Sequence, residues 1–197
     1  MKKIFFIIIF SLTIQTPSLT DDIRDFQIEG MSIGDSALDY FSEAQLEDNE
    51  QGWHNYNYRE YSTSLLPGKK IYHWLQITYK NDDDNFTIEA LAGVLERRNY
   101  NSKKCNNELD VVARDISELF ENTKQKKKQT YELAANASRK YPFNGKSVVT
   151  NMSFDFLDKG SIVLECYNMD KATKKNDSFR TNVRSRAFTN YLNKINL

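Results

Sequence analysis

The sequence predicts an α+β domain: an antiparallel sheet of about five to six strands built from two hairpins, with helices packed on one face. Three observations lead there. "KIYHWLQITYK" sets Ile71, His73, Leu75, Ile77 and Tyr79 against Tyr72, Trp74, Gln76 and Thr78, the two-residue period of a half-buried strand. The polar turn "NDDDN" then leads into a return strand, "FTIEALAGVLE". A second hairpin runs from "KSVVTNMSFDF" through a turn at 158–160 to "SIVLECYNM". Between them, "NNELDVVARDISELFEN" places Leu109, Val112, Ala113, Ile116, Leu119 and Phe120 at helical spacing, a stripe that must lie on the sheet. Strands grouped in hairpins, with helices between the groups, are the α+β pattern rather than alternating β-α-β units.

Lys2 and Lys3 precede the apolar run "IFFIIIFSLTI" and the polar exit "QTPSLTDD", the layout of a secretory signal peptide over residues 1–20. The run is shorter than the about 20 apolar residues that span a bilayer. Residues 21–197 are then expected to form one domain, with no membrane span in the mature chain. Within it, "DFQIEGM" reads as a strand through Phe26 and Ile28 that ends at Gly30. Asp35 or Ser36 can cap a short helix through Leu38, Tyr40 and Phe41. Ser42 with Gln45 makes the S-x-x-Q pattern that starts another turn. Residues 49–70 read as a long loop with an edge strand at 56–61. In the return strand, Gly93 marks a bulge or a close packing contact. After the second hairpin come a short strand, "SFRTNVR", and a final amphipathic helix through Ala187, Phe188, Tyr191, Leu192 and Ile195.

Charge excludes some functions. The chain carries 27 Lys and Arg against 27 Asp and Glu, so losing the leader's two lysines leaves a slightly acidic domain without the basic face that nucleic acid demands. "KQKKKQ" at 124–129 is the local exception and reads as a solvated connector. No pattern implies a cofactor. The acidic turn "DDDNFTIE" lacks the glycine and final glutamate of a calcium loop, and two histidines make no metal site by themselves. Cys105 and Cys166 are the only cysteines. In an exported chain they are expected to pair, two separate buried thiols being the alternative.

Gly34, Asp35 and Ser36 resemble the nucleophile block of secreted hydrolases of the GDSL type, but the resemblance stops there. Such a serine needs a base to take its proton, and in that family a C-terminal D-x-x-H supplies it. Here the only histidines are His54 and His73. Helix capping accounts for the same letters, so no catalytic residue is expected. A strand followed by "GMS" and a helix is similar to the start of small envelope lipoproteins of the outer-membrane-assembly type, without their lipid-bearing cysteine. His73 alternates in register with Ile71 and Leu75 and is expected to be a buried sheet residue. "GWHNYNYREY" offers Trp53, His54, Tyr56, Tyr58 and Tyr61 as a binding surface for sugars or peptides, or as a cover for the sheet edge.

From "DIRDFQIEGMSIGDSALDYFSE" through a cysteine before the middle helix to a second in a late strand, the chain resembles a group of small uncharacterised exported, periplasmic proteins of marine bacteria. That resemblance implies an address and a disulfide, and no activity. The expectation is a non-catalytic periplasmic or secreted binding domain whose partner is a protein or an envelope component. The alternative is a secreted hydrolase with an unrecognised site.

Overall fold

One antiparallel sheet of eight strands organises the chain, in a computed structural model that describes residues 22–51, 60–97, 101–133, 146–158, 160–173 and 175–195. The strands are β1 (Tyr61–Pro67), β2 (Trp74–Lys80), β3 (Ala90–Arg97), β4 (Lys124–Gln125), β5 (Gln129–Glu132), β6 (Val148–Asp155), β7 (Ser161–Asn168) and β8 (Asp177–Arg184). Their order is β1-β2-β3-β8-β7-β6-β4, with β5 also paired to β6. The helices are α1 (Glu43–Asp48), α2 (Ser102–Leu119) and α3 (Arg186–Ile195). The α+β class and both hairpins stand as expected, but the sheet has more strands than five or six.

Alternation places Leu75, Ile77, Leu91, Val183, Leu164, Ile162 and Phe154 on one face, all buried. Over them lie α2, through Leu109, Ala113 and Ile116, and the N-terminal segment, through Ile28, Met31 and Leu46. Asn101 starts α2, its side-chain oxygen accepting from the Lys104 amide at 2.9 Å. Leu119 does not join the stripe: it is 71 % exposed, because successive helical residues point about 100° apart and Phe120 takes the inward position. Phe120 packs on Phe156, ring centres 5.1 Å apart.

Four expectations are corrected. "DFQIEGM" is a reversal rather than a strand. Ile28 and Met31 exchange both backbone bonds at 3.0 Å, and Glu29 (φ 53°) and Gly30 (φ 91°) occupy the left-handed region that this turn geometry demands. The edge strand begins at Tyr61 rather than ending there. The lysine run is solvated as expected but is a connector only at 126–128: Lys124–Gln125 form β4 and Gln129 opens β5, both paired to β6, while Lys126 reaches Asp155 and Lys128 reaches Asp110. Finally, the helices do not share one face. Phe188 and Tyr191 of α3 pack on Tyr61 and Ala90, whose positions in register are opposite to those of the core residues.

The Cys105–Cys166 disulfide ties the first turn of α2 to β7, with Cα atoms 5.8 Å apart, inside the usual range. It closes a span of 61 residues, which in the chain-entropy model removes denatured-state freedom equivalent to about 4 kcal/mol. Replacing both cysteines by alanine is therefore expected to lower unfolding stability by up to about 4 kcal/mol in a denaturant titration. Titration of two thiols in unreduced, unfolded wild-type protein would contradict the bond.

Candidate functional site

The loop between β1 and β2 is held with unusual completeness. Gly68 opens it, its amide donating to the His73 carbonyl at 3.0 Å. A Cβ there would lie 1.9 Å from the Tyr72 carbonyl oxygen, so the chain approaches itself too closely for any side chain. Tyr72 then turns its ring onto Gly93, where a Cβ would lie 2.5 Å from the ring. Gly93 thus marks a close contact, and the unbroken pairing of Leu75 with Gly93 shows no bulge.

Glu29 completes the hold. Its Oε2 accepts from the Lys69 amide at 2.7 Å, and its Oε1 accepts from the amides of Lys70, Ile71 and Tyr72 at 3.1, 2.9 and 3.0 Å. Successive amides converging in this way form an anion receptor, here filled by the chain's own carboxylate. Burial alone would raise the Glu29 pKa, but the four amide bonds outweigh it and hold the carboxyl below its ordinary value. Lys69 adds a third tie: its Nζ donates to the Tyr40 carbonyl at 2.9 Å and sits 4.1 Å over the Phe41 ring. From this pinned backbone Ile71, 69 % exposed, projects beside exposed Lys70 and His73, while Trp74, 38 % exposed, opens β2 on the sheet face opposite to that of Leu75. The loop is thus a rigid frame from which an apolar side chain stands in water.

Two other places carry polar chemistry. On the sheet face opposite the main core, Glu165 stands across from Arg180 in register and is 8 % exposed. It accepts from Asn182 Nδ2 at 3.0 Å and bonds the Tyr167 hydroxyl. The Arg180 guanidinium lies 4.0 Å over the Tyr167 ring, with its Nε buried and unpaired. Burial, and then the Glu165 charge, push the Tyr167 pKa far up, so this hydroxyl is a hydrogen-bond donor rather than a nucleophile at neutral pH. The second place is a cleft of about 210 Å³ between Ser102 and Asn106 of α2 and Thr130 and Thr150 of the sheet, with the disulfide among its walls. The described side chains lining it are uncharged, which suits it to holding a small polar group and not to acid–base work.

Of the aromatic set singled out in the sequence, Trp53, His54, Tyr56 and Tyr58 lie outside the described residues. Tyr61 is 2 % exposed, with its ring 5.2 Å from Phe188 and 4.8 Å from Tyr191, so it packs α3 and offers no surface. His73 is exposed and precedes β2 rather than lying buried within it. Ser36 is a cap: its Oγ accepts from the Leu38 amide at 3.2 Å and donates its proton to the Asn85 carbonyl at 2.7 Å. Asp35 accepts from the Ser32 amide and the Tyr40 hydroxyl, both at 2.8 Å. Among the described residues no cluster of His, Cys, Asp and Glu could hold a metal ion, and no helix is long and apolar enough to cross a membrane. Comparisons with family models, curated proteins and solved structures gave no match.

Only the first half of this loop was legible: residues 68–70 close the long loop read over 49–70, whereas 71–73 fit a strand. Ile71 and His73 continue the alternation of β2 backwards, although the strand begins only at Trp74. "LLPGKK" was the available signal, a Pro-Gly pair marking where the strand stops and a turn begins.

Ser36→Ala is expected to cost about 0.5–2 kcal/mol in thermal or denaturant unfolding, the loss of a cap. A fluorophosphonate probe is expected to leave Ser36 unlabelled, and labelling would refute the capping role. The clamp makes a second prediction. Because the folded Glu29 pKa is depressed, its contribution is fully present above the ordinary value of 4.5 and drains away as pH falls from there through the folded value. Glu29→Gln is expected to be less stable at neutral pH and to lose less stability on acidification below 4.5. Parallel curves for the two proteins in pH-dependent unfolding would show that the clamp carries no charge-linked stability.

Proposed function

We propose that the chain is an exported, disulfide-braced binding domain that works in the periplasm or outside the cell, without catalysis, on a protein partner or an envelope component. Export is supported by the basic start, short apolar run and polar exit of residues 1–20. A closed disulfide agrees with it, since such bonds form and persist in oxidising compartments. The binding role is carried by one observation: the loop pinned by Glu29, Lys69 and Tyr72 that presents Ile71. Ordering a loop costs about 1–2 kcal/mol of backbone entropy per residue, and recognition is improved when that ordering precedes binding.

Site-specific photo-crosslinking in the producing cell tests this reading. A photoreactive residue at position 71 is expected to give a discrete adduct, and one at exposed Leu119, at the far end of α2, to give none. Absence of any adduct from 71, or equal adducts from both positions, would refute the loop as the binding surface.

A further inference from the structure

The two edges of the sheet are finished differently. On β1 the chain covers its own edge: the Leu65 amide donates to the Asn49 carbonyl at 3.0 Å and the Gln51 amide to the Thr63 carbonyl at 2.8 Å, with a bridge between Glu50 and Ser64. At the far edge β5 pairs with β6 and, among the described residues, with nothing beyond it, and all four of its residues are exposed. The Leu133 amide donates to the Ser147 carbonyl at 2.8 Å, and along an antiparallel pair the residues that bond the neighbour alternate with those that do not. Gln129 and Tyr131 therefore bond β6, while the N–H and C=O groups of Thr130 and Glu132 face outward. An open edge is a template for another strand, and lysines and bulges are the common means of blunting it. The first part of this edge has both. Lys124, Lys126, Lys127 and Lys128 lie along it, and Gln129 is five positions on from Lys124, whereas its mate Asn151 is only four back from Asp155, a slip of one residue. β5 itself carries no lysine and no slip.

We propose that β5 pairs with β5 of a second copy of this chain, antiparallel about a two-fold axis at Thr130, so that two sheets become one. This surface is separate from the loop between β1 and β2, and the inference does not rest on that loop. In this register the stretch 128–132 is its own complement: Thr130 faces Thr130 of the second copy, Gln129 faces Tyr131 and Lys128 faces Glu132. The outward N–H and C=O groups of Thr130 and Glu132 then fall in hydrogen-bonding pairs. Thr130 meets Thr150 on the core face, their hydroxyls 3.0 Å apart. Glu132 shares that face by alternation, and Lys128 shares it because its Nζ reaches Asp110 of α2. Each Lys128 thus lies beside a Glu132 of the second copy, an opposite-charge pair that the symmetry makes twice. On the outer face Tyr131, 43 % exposed, gains cover from Gln129 of the second copy. α2 is tied by the disulfide to β7, two strands in from this edge, so that helix leaves the approach clear. So short a pairing covers less than the about 800 Å² per partner of a standard interface, and the dimer is reversible rather than permanent.

Sedimentation velocity of the purified protein over a concentration series tests the proposal. A reversible equilibrium between monomer and dimer is expected, and a single monomeric species up to about 1 mM overturns it. Glu132→Lys sets lysine against lysine at both symmetry-related pairs and is expected to raise the dissociation constant about tenfold. Adding Lys128→Glu to that variant reverses both signs and is expected to bring the constant back towards the wild-type value. Thr130→Pro takes away an outward N–H and no backbone bond to β6, so it is expected to leave a folded monomer that no longer associates. Glu47→Lys, on α1 beside the closed edge, makes the same change of charge and is expected to leave association as it was. Equal weakening by Glu47→Lys, a folded Thr130→Pro variant that still dimerises, or a double variant no tighter than Glu132→Lys alone overturns the proposal. Should Thr130→Pro fail to fold, the charge reversals decide by themselves.

Discussion

The ladder between β3 and β8 is the join on which the rest of the structure depends. Each hairpin can form locally, but the pairings from Ala90 with Arg184 to Arg97 with Asp177 turn two small units into one sheet. Small isolated sheets are marginal in water, and only the joined sheet presents an apolar face broad enough for both α2 and the N-terminal segment. Leu91 on β3 and Val183 on β8 stand side by side under that cover, although they are distant in sequence. The disulfide adds a second long-range tie, from the covering helix to β7. Closing such distant contacts is entropically slow, so the fold belongs among those limited by topology rather than by local propensity.

What could be read from the letters was whatever alternates against this core. β2, β6, β8 and α2 bury regularly spaced residues, while β3 and β7, buried on both faces over most of their length, showed as apolar runs beside turn residues. β1 gave no such signal, because Tyr61, Ser62, Thr63 and Ser64 are all buried, between α3 on one face and α1 on the other. A run of small polar residues buried on both faces reads as a loop. β4 and β5 were hidden for the opposite reason: they are wholly exposed and held by backbone bonds that have no side-chain signature. The pairing of Cys105 with Cys166 was open to the sequence without geometry, since a chain with two cysteines offers each one partner, and the structure closes that bond. The candidate site was the least legible part. Glu29 reaches amides some forty positions away, and nothing in the spacing of residues records a bond to a backbone.

Two carboxylates illustrate opposite uses of burial. Glu29 is satisfied by four amides and works as a fastener for an exposed loop. Glu165 is held by Asn182 and Tyr167 beside an arginine whose Nε has no partner. The first makes a surface rigid. The second fixes how the outer face of β7 and β8 is packed, since a buried polar group restricts the arrangements that leave it satisfied.

The clamp has one more property. Glu29 touches only N–H groups at 69 to 72, and every residue except proline supplies one. Shape and chemistry are thereby uncoupled at the tip: Gly68, Tyr72, Gly93 and Glu29 set the path, while the side chains at 70 and 71 are free to change without disturbing it. Divergent copies of this chain could keep an identical frame and acquire new specificities through those two positions, much as an immunoglobulin varies its loops on a constant scaffold.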